Sequence, residues 1–228
     1  MASTSPPSAP AKRLPRAVRE QQMLDAAVQV FSAHGYHGAS MDEVAELAGV
    51  SKPLLYLYLG SKEKIFSACI AREADRLVDT IGAAVRAEAA DPGERLWLGL
   101  TAFFTFVADH RASWTVLYQQ GRALSGAVAE QLGRVRGEII ATVTELVLQS
   151  IPARGGHDGG YGGGYATQRR DAAAIAHAVV GAADAMAEWA LTTPGEEPTA
   201  TARRLMNLLW VGMERNAAGE RYPATPSP

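Results

Sequence analysis

Residues 49–66, GVSKPLLYLYLGSKEKIF, decide how the first part of this chain folds. The segment LLYLYL within them alternates aliphatic and aromatic residues, as a buried strand would. Ser51, however, is a favourable helix N-cap, and Pro53 then falls in the first helical turn, where its missing N–H removes no hydrogen bond. Gly60 ends the segment. These boundary signals outweigh the alternation and predict a short helix that runs no further than Leu59.

Two predicted helices precede this segment. The first covers about residues 16–34 and stops at Gly35; its apolar residues at helical spacing are Leu24, Ala27, Val28 and Phe31. The sequence SMDE, which begins at Ser40, has the form of a capping box and starts a second helix over about residues 41–48. Gly49 supplies the turn that follows. Three helices with such tight connections predict a helix-turn-helix whose third helix enters the major groove of DNA.

Candidate DNA contacts lie at the starts of the predicted helices. Lys52 and Tyr56 share one face of the third helix, opposite Leu55, and Lys52 would reach a base edge or a phosphate. The Ser40 hydroxyl and the N-terminus of the second helix together favour a phosphate. Lys62 offers a further phosphate contact at the start of the fourth helix.

The remainder of the chain is predicted to be helical throughout. The expected helices cover about residues 62–89, 92–108, 111–119, 125–150, 167–192 and 199–217. The glycine-dominated stretch 152–166 is predicted to be a flexible loop. The fold class is therefore all-α, with about nine helices.

The run from Ala26 to Phe66 resembles the N-terminal DNA-binding domain of the TetR family of bacterial transcriptional regulators. The resemblance covers about 50 of the 228 residues. It implies a helix-turn-helix domain over residues 16–62 and a helical regulatory and dimerisation domain over 63–220. It also implies a homodimer in which the last two helices of each chain form a four-helix bundle. The DNA-binding residues expected from it and from the helix starts are Ser40, Ser51, Lys52, Pro53, Leu54, Tyr56, Tyr58 and Lys62.

Three positions depart from the family pattern. The family often has Thr where this chain has Ala39, Gly or Ala where it has Pro53, and Phe where it has Leu59. The side chains of Pro53 and Leu54 offer no hydrogen bond. Base recognition is therefore expected to depend on contacts with thymine methyl groups and on Lys52.

The charge of the chain is distributed unevenly along the sequence. The formal net charge is −2, yet residues 1–64 carry seven basic and six acidic side chains, a net of +1. Residues 1–15 are predicted to be a disordered basic arm and residues 221–228 a disordered tail.

The sequence shows no secretory signal, no stretch long enough to span a membrane and only one cysteine, Cys69, so a cytoplasmic, nucleoid-associated protein is expected. No metal site, cofactor or catalytic set is predicted, because Gly35 separates His34 from His37 and no nucleophile motif is present.

The expected effector pocket rests on two groups of residues. Aromatic side chains crowd the fifth and sixth helices, and either form a core or line an apolar pocket: Trp97, Phe103, Phe104, Trp114 and Tyr118. A polar stripe along the eighth helix is either a solvated face or a set of anchors for a cationic ligand: His177, Asp184 and Glu188.

The predicted function is a ligand-responsive repressor that binds a palindromic double-stranded DNA operator as a homodimer and is released by an unidentified small molecule. One alternative is a regulator without a small-molecule effector, either an activator or a protein under the control of a partner protein. The other is a helical ligand-binding protein or enzyme that does not bind DNA. The sequence identifies neither the effector nor the operator.

Overall fold

The computed structural model of the chain describes residues 15–86, 91–120, 126–150 and 163–217. These residues form nine α-helices and one π-helical segment, and none of them forms a strand. The helices are α1 (Arg16–Gly38), α2 (Met41–Leu47), α3 (Lys52–Leu59), α4 (Lys62–Arg86), α5 (Pro92–Asp109), α6 (Arg111–Trp114), the π-helical segment (Thr115–Gln120), α7 (Ala127–Ser150), α8 (Gly163–Thr192) and α9 (Pro198–Ala217). The prediction of an all-α fold is confirmed.

The first compact unit ends at Cys69. Its core is built around Phe31 of α1 and Phe66 of α4, whose rings meet edge to face with centroids 4.8 Å apart. Leu55 of α3 is completely buried beside this core. Gly35 adopts a φ of 71° and interrupts α1, which continues for one further turn to Gly38.

The short helix α3 is fixed by its two ends. The Ser51 hydroxyl accepts a hydrogen bond from the backbone N–H of Leu54 at 3.4 Å. Pro53 lies in the first turn, and Gly60 ends the helix with a φ of 83°. The alternating segment 54–59 is therefore helical, as its boundary signals predict.

The second compact unit begins at Ile70. Within it α5 packs against α9, and α7 packs against α8. The Asp91 carboxylate caps α5 by accepting a hydrogen bond from the N–H of Glu94 at 2.9 Å, and Pro92 follows in the first turn. The division between the units falls within α4, seven residues after the boundary expected at 62/63, because Ile65, Phe66 and Cys69 are buried in the first unit's core.

Several boundaries in the second unit differ from the expected ones. The sixth α-helix stops at Trp114, and the chain continues as a π-helical turn over Thr115–Gln120. Helix α8 starts at Gly163, four residues before the expected start, so helical structure extends into the glycine-rich stretch. The expected basic arm up to residue 14, the expected loop up to residue 162 and the expected tail 221–228 lie outside the described residues.

Candidate DNA-binding surface and effector cavity

One face of α3 is open to solvent and is formed by its first, second, fifth and sixth residues. Lys52, Pro53, Tyr56 and Leu57 are exposed, while Leu55 anchors the opposite side of the helix. Leu57 is 75% exposed, a large value for an apolar side chain on a helix of eight residues. This face is the surface that a helix-turn-helix would present to the major groove.

Lys52 makes an ion pair that joins α3 to α2. Its Nζ donates a hydrogen bond to the Asp42 carboxylate at 2.9 Å. This hydrogen bond, reinforced by the negative charge of Asp42, raises the pKa of Lys52 above its usual value. Lys52 is therefore a firmly protonated cation. To bind it, a DNA phosphate or base edge would have to replace the carboxylate of Asp42.

The N-terminus of α2 is capped by Ser40, whose hydroxyl accepts a hydrogen bond from the N–H of Asp42 at 3.2 Å. The capping box expected here is incomplete. The Glu43 carboxylate lies 3.1 Å from Nε2 of His34, an interaction that directs it toward α1. Ser40 is exposed and lies at a helix N-terminus, which keeps this end of α2 suited to a phosphate.

Lys62 holds the connection between α1 and α2. Its Nζ donates hydrogen bonds to the carbonyl oxygens of Ala39, at 2.7 Å, and His37, at 3.2 Å. The same ammonium lies 5.3 Å from the centroid of the Tyr36 ring. Lys62 therefore positions the segment that carries Ser40, in addition to any contact it makes with a phosphate.

The second unit contains a cavity of about 570 Å³. Helices α4, α5, α7 and α8, together with α6 and the π-helical segment, contribute to its wall. Aliphatic residues dominate the lining, among them Leu77, Ile81, Leu100, Ile139 and Val179. Trp114 and Tyr118, both in the wall, stack with ring centroids 4.8 Å apart and an interplanar angle of 14°. A mostly apolar cavity of this size is suited to a small molecule.

The cavity wall also contains an ion pair between adjacent helices. The guanidinium of Arg136 on α7 donates a hydrogen bond to the carboxylate of Asp184 on α8. The Asp184 side chain is 9% exposed and that of Arg136 is 42% exposed. The ion pair thus adds a polar group to a mostly apolar cavity, and Arg136 is the more accessible of its two members.

Family models account for both units. The model described as bacterial regulatory proteins, tetR family, matches residues 23–69. The model described as a tetracyclin repressor-like C-terminal domain matches residues 92–212, which is more than half of the chain. The chain belongs to the TetR family of bacterial regulatory proteins.

Relatives and a solved structure agree with this assignment. The chain is 38% identical over 120 residues to the HTH-type transcriptional activator FasR of Mycolicibacterium smegmatis, an alignment that spans 53% of this chain and 54% of that protein. It is 28% identical over 144 residues to the HTH-type transcriptional repressor AcnR of Corynebacterium efficiens, spanning 58% of this chain and 76% of that protein. A TetR-like transcriptional regulator from Rhodococcus sp. RHA1 is 39% identical, and its crystal structure superimposes with a TM-score of 0.69 over 91% of this chain and 100% of that chain.

Besides Lys62, which is half-buried, two residues expected at the DNA surface of this TetR-family chain are less exposed than the α3 face. Tyr58 is half-buried, with Cζ of Arg16 lying 5.2 Å from its ring centroid, and Leu54 is half-buried as well. They lie beside the exposed face and would reach DNA only at its edge. Leu57, which was not among the expected contacts, lies on that face, four residues after Pro53. Helical spacing from Pro53 is the signal that could have identified it.

The expected pocket residues divide into two groups. The cavity is lined by Phe103, Trp114, Tyr118 and Asp184. The other four lie elsewhere in the second unit, and they are Trp97, Phe104, His177 and Glu188.

The expected polar stripe on α8 does not form a continuous inward face. His177 and Glu188 are exposed, and Nδ1 of His177 hydrogen-bonds to the carbonyl oxygen of Ala173 one turn earlier at 2.8 Å. Only Asp184 is buried, because Arg136 on the neighbouring helix neutralises it. Trp97 is directed toward Arg203 of α9, whose Cζ lies 6.0 Å from its ring centroid.

Within the described ranges, no group of three or more His, Cys, Asp or Glu side chains is arranged to hold a metal ion. None of the described helices is both long enough and apolar enough to cross a membrane.

Proposed function

We propose that this protein is a ligand-responsive transcriptional repressor that binds a palindromic operator as a homodimer. The observation that carries this proposal is the exposed α3 face, in a chain whose two units both match TetR-family domains. It acts at the nucleoid, and a small molecule bound in the second unit releases it from DNA.

The proposed DNA contacts combine backbone and base recognition. Ser40, Ser51, Tyr58 and Lys62 lie at helix starts or beside the exposed face and serve the phosphates. Lys52, Pro53, Leu54 and Tyr56, together with Leu57, serve the groove. Because Pro53, Leu54 and Leu57 can make only apolar contacts, they favour thymine methyl groups over hydrogen-bonding base edges. Phosphate contacts supply much of the affinity and make it salt-dependent.

The homodimer is proposed to form through α8 and α9. Trp189 of α8 is 43% exposed and Leu208 of α9 is 73% exposed. Large apolar side chains at such positions are typical of an interface between subunits. In the dimer the two copies of α3 enter successive major grooves, which requires them to lie about 34–36 Å apart.

The effector is proposed to occupy the cavity and to act through α4. Residues from Ala74 to Arg86 of this helix line the cavity, and its first turns belong to the core of the DNA-binding unit. A ligand that favours one position of α4 changes the spacing of the two α3 helices in the dimer. A coupling free energy of about 1–3 kcal/mol corresponds to about 5–150-fold in DNA affinity.

A second candidate function is transcriptional activation. It is favoured by the relative FasR, which is named as an activator and is 38% identical over the aligned residues, whereas AcnR is named as a repressor. The two functions share the DNA-binding surface and differ only in the effect on RNA polymerase. A transcription assay with purified polymerase separates them by the sign of the response.

The test is fluorescence anisotropy with a set of overlapping DNA duplexes. Together the duplexes cover the intergenic DNA upstream of this protein's own gene and the intergenic DNA next to that gene. We expect one duplex to bind far more tightly than a shuffled sequence of equal length, with affinity that falls as salt rises. Transcription from that promoter should then decrease in the presence of the protein. Equal affinity for every duplex would reject sequence-specific regulation of these promoters, and increased transcription would replace repression by activation.

A further inference from the structure

We propose that the effector of this protein is an apolar molecule with a carboxylate group, and that Arg136 binds this carboxylate in competition with Asp184. The proposal rests on the proposed function, because it assigns the chemistry of the effector that occupies the cavity. It replaces the cationic ligand considered from the sequence.

The exposures of the two charged groups determine which of them a ligand meets. The Asp184 side chain is 9% exposed and is already hydrogen-bonded to Arg136. The Arg136 side chain is 42% exposed, and a guanidinium has five N–H donors. A cationic ligand would have to displace Arg136 to reach the buried carboxylate, whereas an anionic ligand meets the more exposed guanidinium directly and competes with Asp184 for its N–H donors.

The rest of the lining supports an amphipathic acid. Most of the wall is aliphatic or aromatic, which accommodates a hydrocarbon chain or ring system. The other charged groups in the lining are Asp79, Arg86, Arg95 and Glu138. With Arg136 and Asp184 they comprise three cations and three anions, so the described lining has no excess negative charge that would select a cation. Arg95 already donates a hydrogen bond to the side-chain oxygen of Gln149 at 3.1 Å.

The geometry of the pair links ligand binding to helix packing. Arg136 and Asp184 connect α7 to α8, which pack against each other. Carboxylates bind guanidinium groups with two parallel hydrogen bonds, so an incoming carboxylate competes directly with the interhelical bond. Ligand binding at Arg136 therefore weakens one link between these helices while it fills the cavity.

The test is isothermal titration calorimetry on the full chain with three ligands of equal chain length: decanoate, methyl decanoate and decylamine. We expect decanoate to bind more tightly than the uncharged ester and the amine. Arg136→Gln should weaken decanoate binding by about 10- to 100-fold, the usual effect of losing a hydrogen bond to a charged group. Asp184→Asn should leave decanoate binding unchanged or strengthen it, because it removes the competing carboxylate.

Matched variants keep the result interpretable. Arg134→Gln removes an exposed arginine from the same helix and should not change decanoate affinity. Arg136→Lys keeps the charge but not the planar donor pair, and should give an intermediate affinity. It serves as the second test if Arg136→Gln does not fold, which circular dichroism of each variant will show.

Three results would overturn the proposal. They are tightest binding of decylamine with loss of that binding in Asp184→Asn, an unchanged decanoate affinity in Arg136→Gln, and loss of decanoate affinity in Arg95→Gln instead. If none of the three ligands binds while the protein still recognises an upstream duplex, the carboxylate proposal fails and the regulatory function stands. If the upstream duplexes are not recognised either, the proposed function itself fails.

Discussion

Lys62 illustrates how one side chain can serve both the fold and the DNA contact. Its position at the start of α4 predicts a phosphate contact. In the structure its ammonium donates to the carbonyl oxygens of His37 and Ala39 and lies over the ring of Tyr36. An ammonium has three N–H donors, so one remains for a phosphate while the other two hold the segment before α2.

We therefore expect Lys62→Ala to affect both stability and DNA binding. The free energy of unfolding, measured by urea titration, should fall by about 1–2 kcal/mol, because two hydrogen bonds from a charged donor to the backbone are lost. The dependence of log affinity on log salt should become shallower by about one. Lys64→Ala, at an exposed lysine two residues away, is the matched control for stability. Unchanged stability in Lys62→Ala would assign the residue to DNA alone.

Leu57 is the most exposed apolar side chain that the structure shows on α3, which makes it a test of base recognition. Its side chain is 75% exposed, so Leu57→Ala should not alter the free energy of unfolding. If Leu57 packs against a thymine methyl, the variant should lose about 1–2 kcal/mol of discrimination between operator and shuffled DNA. Replacing operator thymines by uracil one at a time should cost the wild type affinity at one position and leave the variant unaffected there.

The control for this prediction is Leu47→Ala. Leu47 is 58% exposed but ends α2 and lies outside α3. It should keep the full discrimination of the wild type. Equal sensitivity of the wild type and Leu57→Ala to every thymine-to-uracil change would exclude methyl recognition by Leu57.

The turn between α2 and α3 depends on one glycine. Gly49 has a φ of 65°, and a methyl group added at this position would meet no atom within 4 Å. A substitution here therefore tests backbone strain without a steric clash. Gly49→Ala should destabilise the protein by about 1–2 kcal/mol, whereas Gly49→Asn should cost less, because asparagine tolerates this conformation. Urea unfolding monitored by circular dichroism measures both.

Gly137 is a glycine whose backbone conformation does not require glycine, in contrast to Gly49. It lies within α7 in ordinary helical conformation, and a Cβ there would also meet nothing within 4 Å. Gly137→Ala should stabilise the protein by up to about 1 kcal/mol, because alanine is the better helix former. If both alanine variants were destabilised equally, the positive φ of Gly49 would not be the cause of its effect.

The elements show which parts of the fold the sequence could predict. The starts of α2, α3 and α5 have local signals, since Ser40, Ser51 and Asp91 each accept a hydrogen bond from a backbone N–H in the first turn. Helix α8 begins at Gly163 inside a glycine-rich stretch, where glycine side chains offer no capping oxygen, so its start has no such signal in the sequence. The π-helical segment after Trp114 also has no boundary signal in the sequence, although it contributes Tyr118 to the cavity.

The candidate sites divide in the same way. The exposed face of α3 lies on one short helix, so most of it follows from helical spacing. The polar anchor of the cavity joins Arg136 to Asp184, which are 48 residues apart in the chain. Periodicity could place Asp184 on a polar stripe, but only the packing of α7 against α8 shows that it is the buried member and that His177 is not.

The proposed repression requires two chains, because one α3 helix would read only half of a palindromic operator. The interface is proposed to include Trp189 and Leu208, which are 43% and 73% exposed in the single chain. The Leu208→Glu variant places a charge where the dimer would bury an apolar side chain. Both chains carry the substitution, so the homodimer loses two buried leucines at about 1.5–3 kcal/mol each; dimerisation should weaken by about 100-fold or more, and the charge should add to that loss.

Size-exclusion chromatography with light scattering, over a range of protein concentrations, measures this change. The variant should keep the helical content of the wild type, since Leu208 is not part of the described core, but should lose operator affinity in parallel with the dimer. Leu47→Glu introduces the same charge at another exposed leucine and should remain dimeric. A Leu208→Glu protein that stays dimeric at low concentration and binds the operator normally would place the interface on another surface.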